Sequence, residues 1–249
     1  MNHHCRFLAF VLLSILVAAL PGLVGAAAQR PSGPVLLSGL LAESDAAFLG
    51  RVEKITYALA EPSGPESVRV PHTFVTYRVE RSFVGSVPGG TVTLRFMGGL
   101  DAAKGLYMAS SRKPEFDLGD RDILFVQGNA ARMCPLVGNL EGRLRVVAGR
   151  VYSEEGRSVR IGGGGALSLG AGYRLPEVES TTVDGRVLQT QRRGPKALDP
   201  PGDAVAEADL VGLLAEVARG VAVRAAFVSA DPTAPFAGPE MTPAMPPSD

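Results

Sequence analysis

Tryptophan is absent from this chain, cysteine occurs twice and histidine three times among 249 residues. Neither sign of charge is in excess, since 25 Lys and Arg meet 25 Asp and Glu. Each shortage argues against a class of function. A balanced charge offers no concentrated basic surface to displace counterions from a phosphate backbone, so nucleic acid is not the expected partner. Of the histidines, His3 and His4 lie in the opening segment, which leaves His72 alone beyond it. Catalytic and structural zinc sites draw three or four ligands from His, Cys and carboxylates, and no such spacing is present here. A Ser-His-Asp or Cys-His arrangement would also have to use His72 as its base. That residue directly follows Pro71 at the start of a strand pattern, where an exposed or edge position is expected.

The cysteine count bounds the scaffold. Cys5 belongs to the opening segment, so Cys134 stands alone in the rest of the chain and no intramolecular disulfide is expected. The fold must then rest on its apolar core. Cys134 is either a small buried apolar residue or, in an oxidising compartment, a possible intermolecular thiol.

The opening segment has the three parts of a secretory signal. Arg6 supplies positive charge, residues 7–20 form an apolar run broken only by Ser14, and Pro21-Gly22 ends it. Ala26-Ala27-Ala28 then offers a small-x-small cleavage site before Gln29. The competing reading is a retained membrane anchor, but a spanning helix needs about 20 apolar residues without an early break. No Cys lies at the cleavage region, so a lipoprotein is not indicated. The expectation is a periplasmic or secreted protein, with residues 1–28 as signal and 29–39 as a Pro/Gly/Ser-containing linker.

What is plentiful is turn chemistry, with 30 Gly and 19 Pro. Between the turns, residues 46–56 read as a first strand with Gly50 as a bulge. In residues 72–83, Val75, Tyr77 and Val79 alternate with Thr76, Arg78 and Glu80. In residues 91–97, Val92, Leu94 and Phe96 alternate with Thr93 and Arg95. Such a period of two predicts strands with one buried and one wet face. Residues 121–127 hold a continuous apolar strand, 142–153 a hairpin turning at Ala148-Gly149, and Asp184-Gly185 the pair of a two-residue hairpin turn. A helix is predicted over 203–220, capped by Asp203, with Leu210, Leu213, Leu214 and Val217 as its apolar stripe and Gly220 at its end. Residues 229–249 carry six prolines and no basic residue, the composition of a disordered tail. The expected architecture is mainly β: an OB-like antiparallel barrel or sandwich over 40–200 with one C-terminal helix packed on it.

Chemistry-bearing motifs are sparse. Gly162 to Gly165 is followed by no Gly-Lys-Ser/Thr, so it is not a phosphate loop. The Asp117, Asp120 and Asp122 triplet has oxygen ligands but not the alternate spacing of an EF-hand loop. These acids, with Glu43 and Asp45, leave a carboxylate hydrolase open as an alternative, although turn and cap roles are the ordinary use of Asp. No cofactor or metal is expected.

Two stretches together carry a resemblance. Glu43-Ser44-Asp45-Ala46-Ala47-Phe48-Leu49-Gly50-Arg51-Val52 and the strand over 74–83 running to Gly85 resemble the first two strands of netrin/TIMP-like modules, and residues 123–128 resemble a later one. The likeness covers residues 43–150 and implies a five-stranded OB-type barrel with a flanking helix. The inhibitory members present an N-terminal cysteine to a protease zinc and are stapled by disulfides, both of which this chain lacks. Cys134-Pro135-Leu136-Val137-Gly138, with Gly142 and Arg143 beyond, is also similar to a phrase in uncharacterised exported bacterial proteins. The expected function is non-enzymatic binding or a structural role, with a protein or peptide as the partner. A secreted protease inhibitor acting through the loop at 104–114 is a further alternative.

Overall fold

The computed structural model describes residues 35–59, 70–87, 90–108, 114–170, 177–183, 186–192, 201–222 and 227–232, the hairpin over 177–192 by its backbone only. The expected signal and most of the linker therefore lie outside the described residues. Within them the chain is mainly β, with one main helix.

A six-stranded antiparallel sheet forms the centre. Its strands are β2 (Ala46–Leu59), β3 (Pro71–Val84), β4 (Thr91–Met97), β7 (Arg121–Val126), β8 (Arg143–Val147) and β9 (Arg150–Ser153). Their order is β4-β3-β2-β7-β8-β9, so the two outer strands are not hydrogen-bonded to each other and pairing does not close the sheet. A second sheet joins β1 (Val35–Leu36), β11 (Ala166–Leu169) and β10 (Val159–Ile161). Two hairpins stand apart in the pairing, β5 (Gly99–Asp101) with β6 (Leu106–Met108), and β12 (Glu177–Val183) with β13 (Arg186–Arg192). In the last, Val183 pairs with Arg186, as a two-residue connection requires, while residues 184–185 themselves lie outside the described set.

β2 bends the sheet. Fourteen residues long, it pairs with β3 over its whole length and with β7 only over Ala46 to Arg51. Three register shifts interrupt the β2–β3 ladder, one of them between Leu49 and Gly50, where the bulge was expected. The site needs glycine: a Cβ there would stand 2.9 Å from the Arg78 carbonyl oxygen and 3.2 Å from the Phe48 ring. The extra residue lies on β3 at two of these shifts and on β2 at the third, and each such irregularity adds local twist to the pair of strands.

At the centre of the sheet neither face is wet. Phe48 and Leu49, and likewise Leu124 and Phe125, are neighbours in sequence and fully or almost fully buried, so β2 and β7 are covered on both sides. One side packs Ala47, Leu49, Ile123 and Phe125 against α1 (Leu37–Glu43) and α2 (Glu207–Ala218). The other side gathers Phe48, Tyr77, Val92, Leu94, Phe96 and Leu124 within the curl of the sheet. Val92, Leu94 and Phe96 are all buried as the alternation required, but Arg95, expected to be wet, is 5% exposed. Its Nη2 donates to the Ala130 carbonyl, and burial lowers its pKa to about 10.

Several boundaries shift. Residues 35–39, expected as linker, form β1 and the start of α1. The main helix begins at Glu207, after Ala206 as N-cap, and Asp203 instead pairs with Arg160 at 2.9 Å. Of the expected stripe, Leu210 and Leu214 are buried, and Val211 joins them. Ser229 and Ala230, expected within the tail, are instead bonded to β4: Ala230 N–H donates to the Thr93 carbonyl (2.8 Å) and Thr93 N–H to Ser229 Oγ (2.8 Å). Asn129 caps the same strand, accepting from Arg95 N–H and donating to Thr93 O, and Met97 N–H donates to Met133 O. The outer edge of β4 is thus covered by loops, which blunts its capacity for strand-to-strand association. Residues 233–249 lie outside the described set. Among the described residues no helix is long and apolar enough to cross a membrane.

Candidate functional site

The chemistry concentrates where β7 and β8 meet. In that register Asp122 faces Arg145 and Leu124 faces Arg143, so β8 turns two arginines toward the curl of the sheet while Leu144 and Val146 serve the helix side. Arg143 is completely buried. Its Nη2 lies 2.7 Å from Asp120 Oδ2 and 2.9 Å from Asp122 Oδ2, and its Nη1 lies 2.8 Å from Glu154 Oε2. Nη1 also donates to the Glu115 carbonyl. The guanidinium sits over the Phe116 ring, 4.4 Å from its centroid, which adds a desolvated cation–π contact. Phe116 in turn packs on Phe96 and stands edge-on to Tyr77. Tyr77 Oη donates to Asp122 Oδ2 at 2.8 Å, and Glu115 N–H donates to Glu154 Oε1.

Burial of this cluster sets its electrostatics. Burial disfavours the charge on Arg143, but Asp122 and Glu154 outweigh it and hold the guanidinium well above its ordinary pKa. Burial raises the Asp122 carboxyl, with Arg143 opposing, and raises Glu154 in the same way. Tyr77 is raised well above its ordinary value, first by burial and then by Asp122. Oxygens of all three carboxylates are held by one cation, a phenol and two backbone amides, which is the arrangement of a structural ion network. Asp122 Oδ1 and Arg143 Nε are buried without a hydrogen-bond partner among the described residues.

Beside the network lies a cleft of about 400 Å³. Leu40, Leu144, Val159 and Leu167 are buried in its lining, and so are Arg143 and Glu154. Leu169 is 42% exposed and Glu141 is exposed, so these two belong to its rim. Residues 138–142 fold over one side as a single 3₁₀ turn entered through left-handed Gly138. Gly142 is required there, because a Cβ would meet the Val137 carbonyl oxygen at 2.6 Å.

A different surface stands out on the β5–β6 hairpin. Tyr57 and Tyr107 make an edge-to-face contact with ring centroids 6.4 Å apart, and Leu100 lies directly opposite Tyr107 in the hairpin register. All three are exposed, as is neighbouring Leu106.

The residues singled out in the sequence are scattered. Cys134 is a free, partly buried thiol packed against the apolar core inside the curl. Burial raises its pKa, which keeps the nucleophilic thiolate scarce. His72 is 4% exposed and not at a wet edge: β3 is flanked by β2 and β4, and the ring nitrogen Nδ1 lies 2.8 Å from the Val70 carbonyl. Burial lowers its pKa, so the neutral ring is favoured. Asp120 and Asp122 turn toward Arg143, and Asp117 contributes a backbone N–H to Asp120 Oδ2. Among the described residues no group of three or more His, Cys, Asp and Glu side chains is placed to hold a metal ion. Gly163–Gly165 makes a 3₁₀ turn between β10 and β11. The loop at 104–114 begins in the β5–β6 turn, and its residues 109–113 lie outside the described set.

Arg143 and Glu154 were not legible as a pair. The one signal available was the Arg-Leu-Arg alternation of β8, where the arginines occupy the positions facing a buried strand. No protein-family model matches the chain, and no curated protein or solved structure matches it significantly.

Proposed function

We propose that the protein is exported and acts by binding a protein or peptide rather than by catalysis, through the aromatic surface of the β5–β6 hairpin. The observation that carries this reading is the Tyr57–Tyr107–Leu100 cluster, three large side chains held in mutual contact or register yet left exposed. Tyrosines of this kind offer large contact area at small entropic cost, and exposed apolar groups gathered in one place mark interaction surfaces. The buried ion network fits the same reading, because its carboxylates are committed to holding Arg143.

The finer fold reading belongs here as well. A curled sheet whose two long strands pair with three register shifts, an apolar interior of its own and a helix on its outer side supports an OB-like barrel related to netrin/TIMP-like modules. Binding by loops at one end of such a barrel agrees with the position of the hairpin, and this step is an argument from fold analogy.

The test places a photoreactive amino acid at Tyr107 and, as a control, at exposed Ser168 on β11, in cells producing the full chain. A discrete adduct from position 107, absent from position 168 and lost on Tyr57→Ser, supports the reading. Exported, folded protein giving no adduct at 107 overturns it. N-terminal sequencing of the exported product, expected to begin at Gln29, checks the export step separately.

A further inference from the structure

We propose that the cleft beside the ion network is a binding site for a small organic cation with an apolar body, of the alkylamine type. Its volume of about 400 Å³ falls within the roughly 300–1,000 Å³ of small-molecule sites. Its buried lining is mostly aliphatic, with Leu40, Leu144, Val159 and Leu167 supplied by α1, β8, β10 and β11. Four separate elements therefore converge on it, and a hydrocarbon chain entering would exchange water for aliphatic contact on every side.

Charge decides the sign of the ligand. Arg143 and Glu154 in the lining are paired with each other, and the other two charged groups there, Glu141 and Glu155, are both acids. The Nη atoms of that arginine are already occupied by Asp120, Asp122 and Glu154. An incoming carboxylate or phosphate would meet the outer face of an acidic cluster in a low-dielectric setting, where like charges repel strongly. An ammonium group would meet complementary charge at Glu155, which is partly buried and makes no ion pair among the described residues. The exposed Leu169 side chain extends the apolar wall to the mouth, so chain and head group are both accommodated. This site is separate from the tyrosine cluster, and either can fail without the other.

The experiment titrates the full mature chain calorimetrically with octylamine, octanoate and butylamine at neutral pH, following cooperative thermal unfolding in parallel. Octylamine is expected to bind with a raised Tm. Octanoate and butylamine should each bind at least about tenfold more weakly, the first lacking the cation and the second the apolar chain. Glu155→Gln should weaken octylamine about tenfold, and Leu169→Ser should weaken it by a smaller factor. Because neither side chain belongs to the core, both variants are expected to unfold cooperatively as the parent does. Octanoate binding as tightly as octylamine would overturn the proposal. So would a cooperatively folded chain that ignores octylamine, or octylamine binding that neither substitution alters.

Discussion

The two sides of the central sheet are built on different principles. On the helix side, Leu49, Ile123 and Phe125 meet Leu37, Leu41, Leu210 and Leu214, and the packing is aliphatic and aromatic throughout. Inside the curl, a comparable apolar cluster ends at Arg143, whose charge is carried by three acids and the Phe116 face. An apolar side loses stability in proportion to volume removed, whereas an ionic side depends on keeping every partner present. The sharpest way to break the comparison is Arg143→Met. It preserves much of the volume but leaves Asp122 and Glu154 buried without their cation, and should cost about 3–5 kcal/mol in urea unfolding. Adding Asp122→Asn and Glu154→Gln should recover a large part of that loss. A triple variant no more stable than the single one would show that the guanidinium acts mainly through packing.

The matching change on the helix side is Leu210→Ala. Fully buried between α1 and the sheet, it should cost about 2–5 kcal/mol by lost transfer energy and a residual cavity. Unlike Arg143→Met, its cost should be insensitive to pH. That contrast separates the two sides even where the magnitudes overlap.

Tyr77→Phe probes the ionic side alone, with a smaller effect. It removes one donor to Asp122 Oδ2 while Arg143 remains, so a loss of about 1–2 kcal/mol is expected. The acids give the pH signature. Asp122 and Glu154 hold their protons more tightly folded than unfolded. Their contribution to stability is therefore fully present below the ordinary carboxylate values and is lost as pH rises through the raised folded values. Glu154→Gln should flatten this decline in a series of unfolding curves across the mildly acidic range. An unchanged slope would remove Glu154 from the cause.

The apolar side was the more legible of the two. Period-two patterns located β3 and β4, and the 3.6 period located α2, because one-sided burial writes a repeat into the sequence. Phe48-Leu49 and Leu124-Phe125 carry no repeat, since both faces are covered, and nothing local says which sheet face each meets. Arg95 and Arg143 were misread or missed for a stronger reason. An arginine on a strand reads as solvent-facing unless its acids are known, and Arg143 finds them at 120, 122 and 154, in segments set beside it only by the fold. The same holds for Asp203, an apt cap by residue type, which tertiary pairing with Arg160 draws away from a helix that begins four residues later.

The smallest effect belongs to the link between the sheet and α2. Arg121 spans Glu80 on β3 and Glu207 in the first turn of α2, and these pairs raise its pKa against the pull of burial. All three side chains keep roughly a fifth to a quarter of their exposure, so water and salt screen them. Glu207→Gln should cost no more than about 1 kcal/mol, and the cost should shrink as ionic strength rises. The same substitution removes an acid from the positive end of the helix dipole, a contribution that salt also screens. Urea unfolding at low and high salt measures both together. A loss that persists undiminished in high salt would place Glu207 with Arg143, as a group whose worth comes from burial rather than from surface charge.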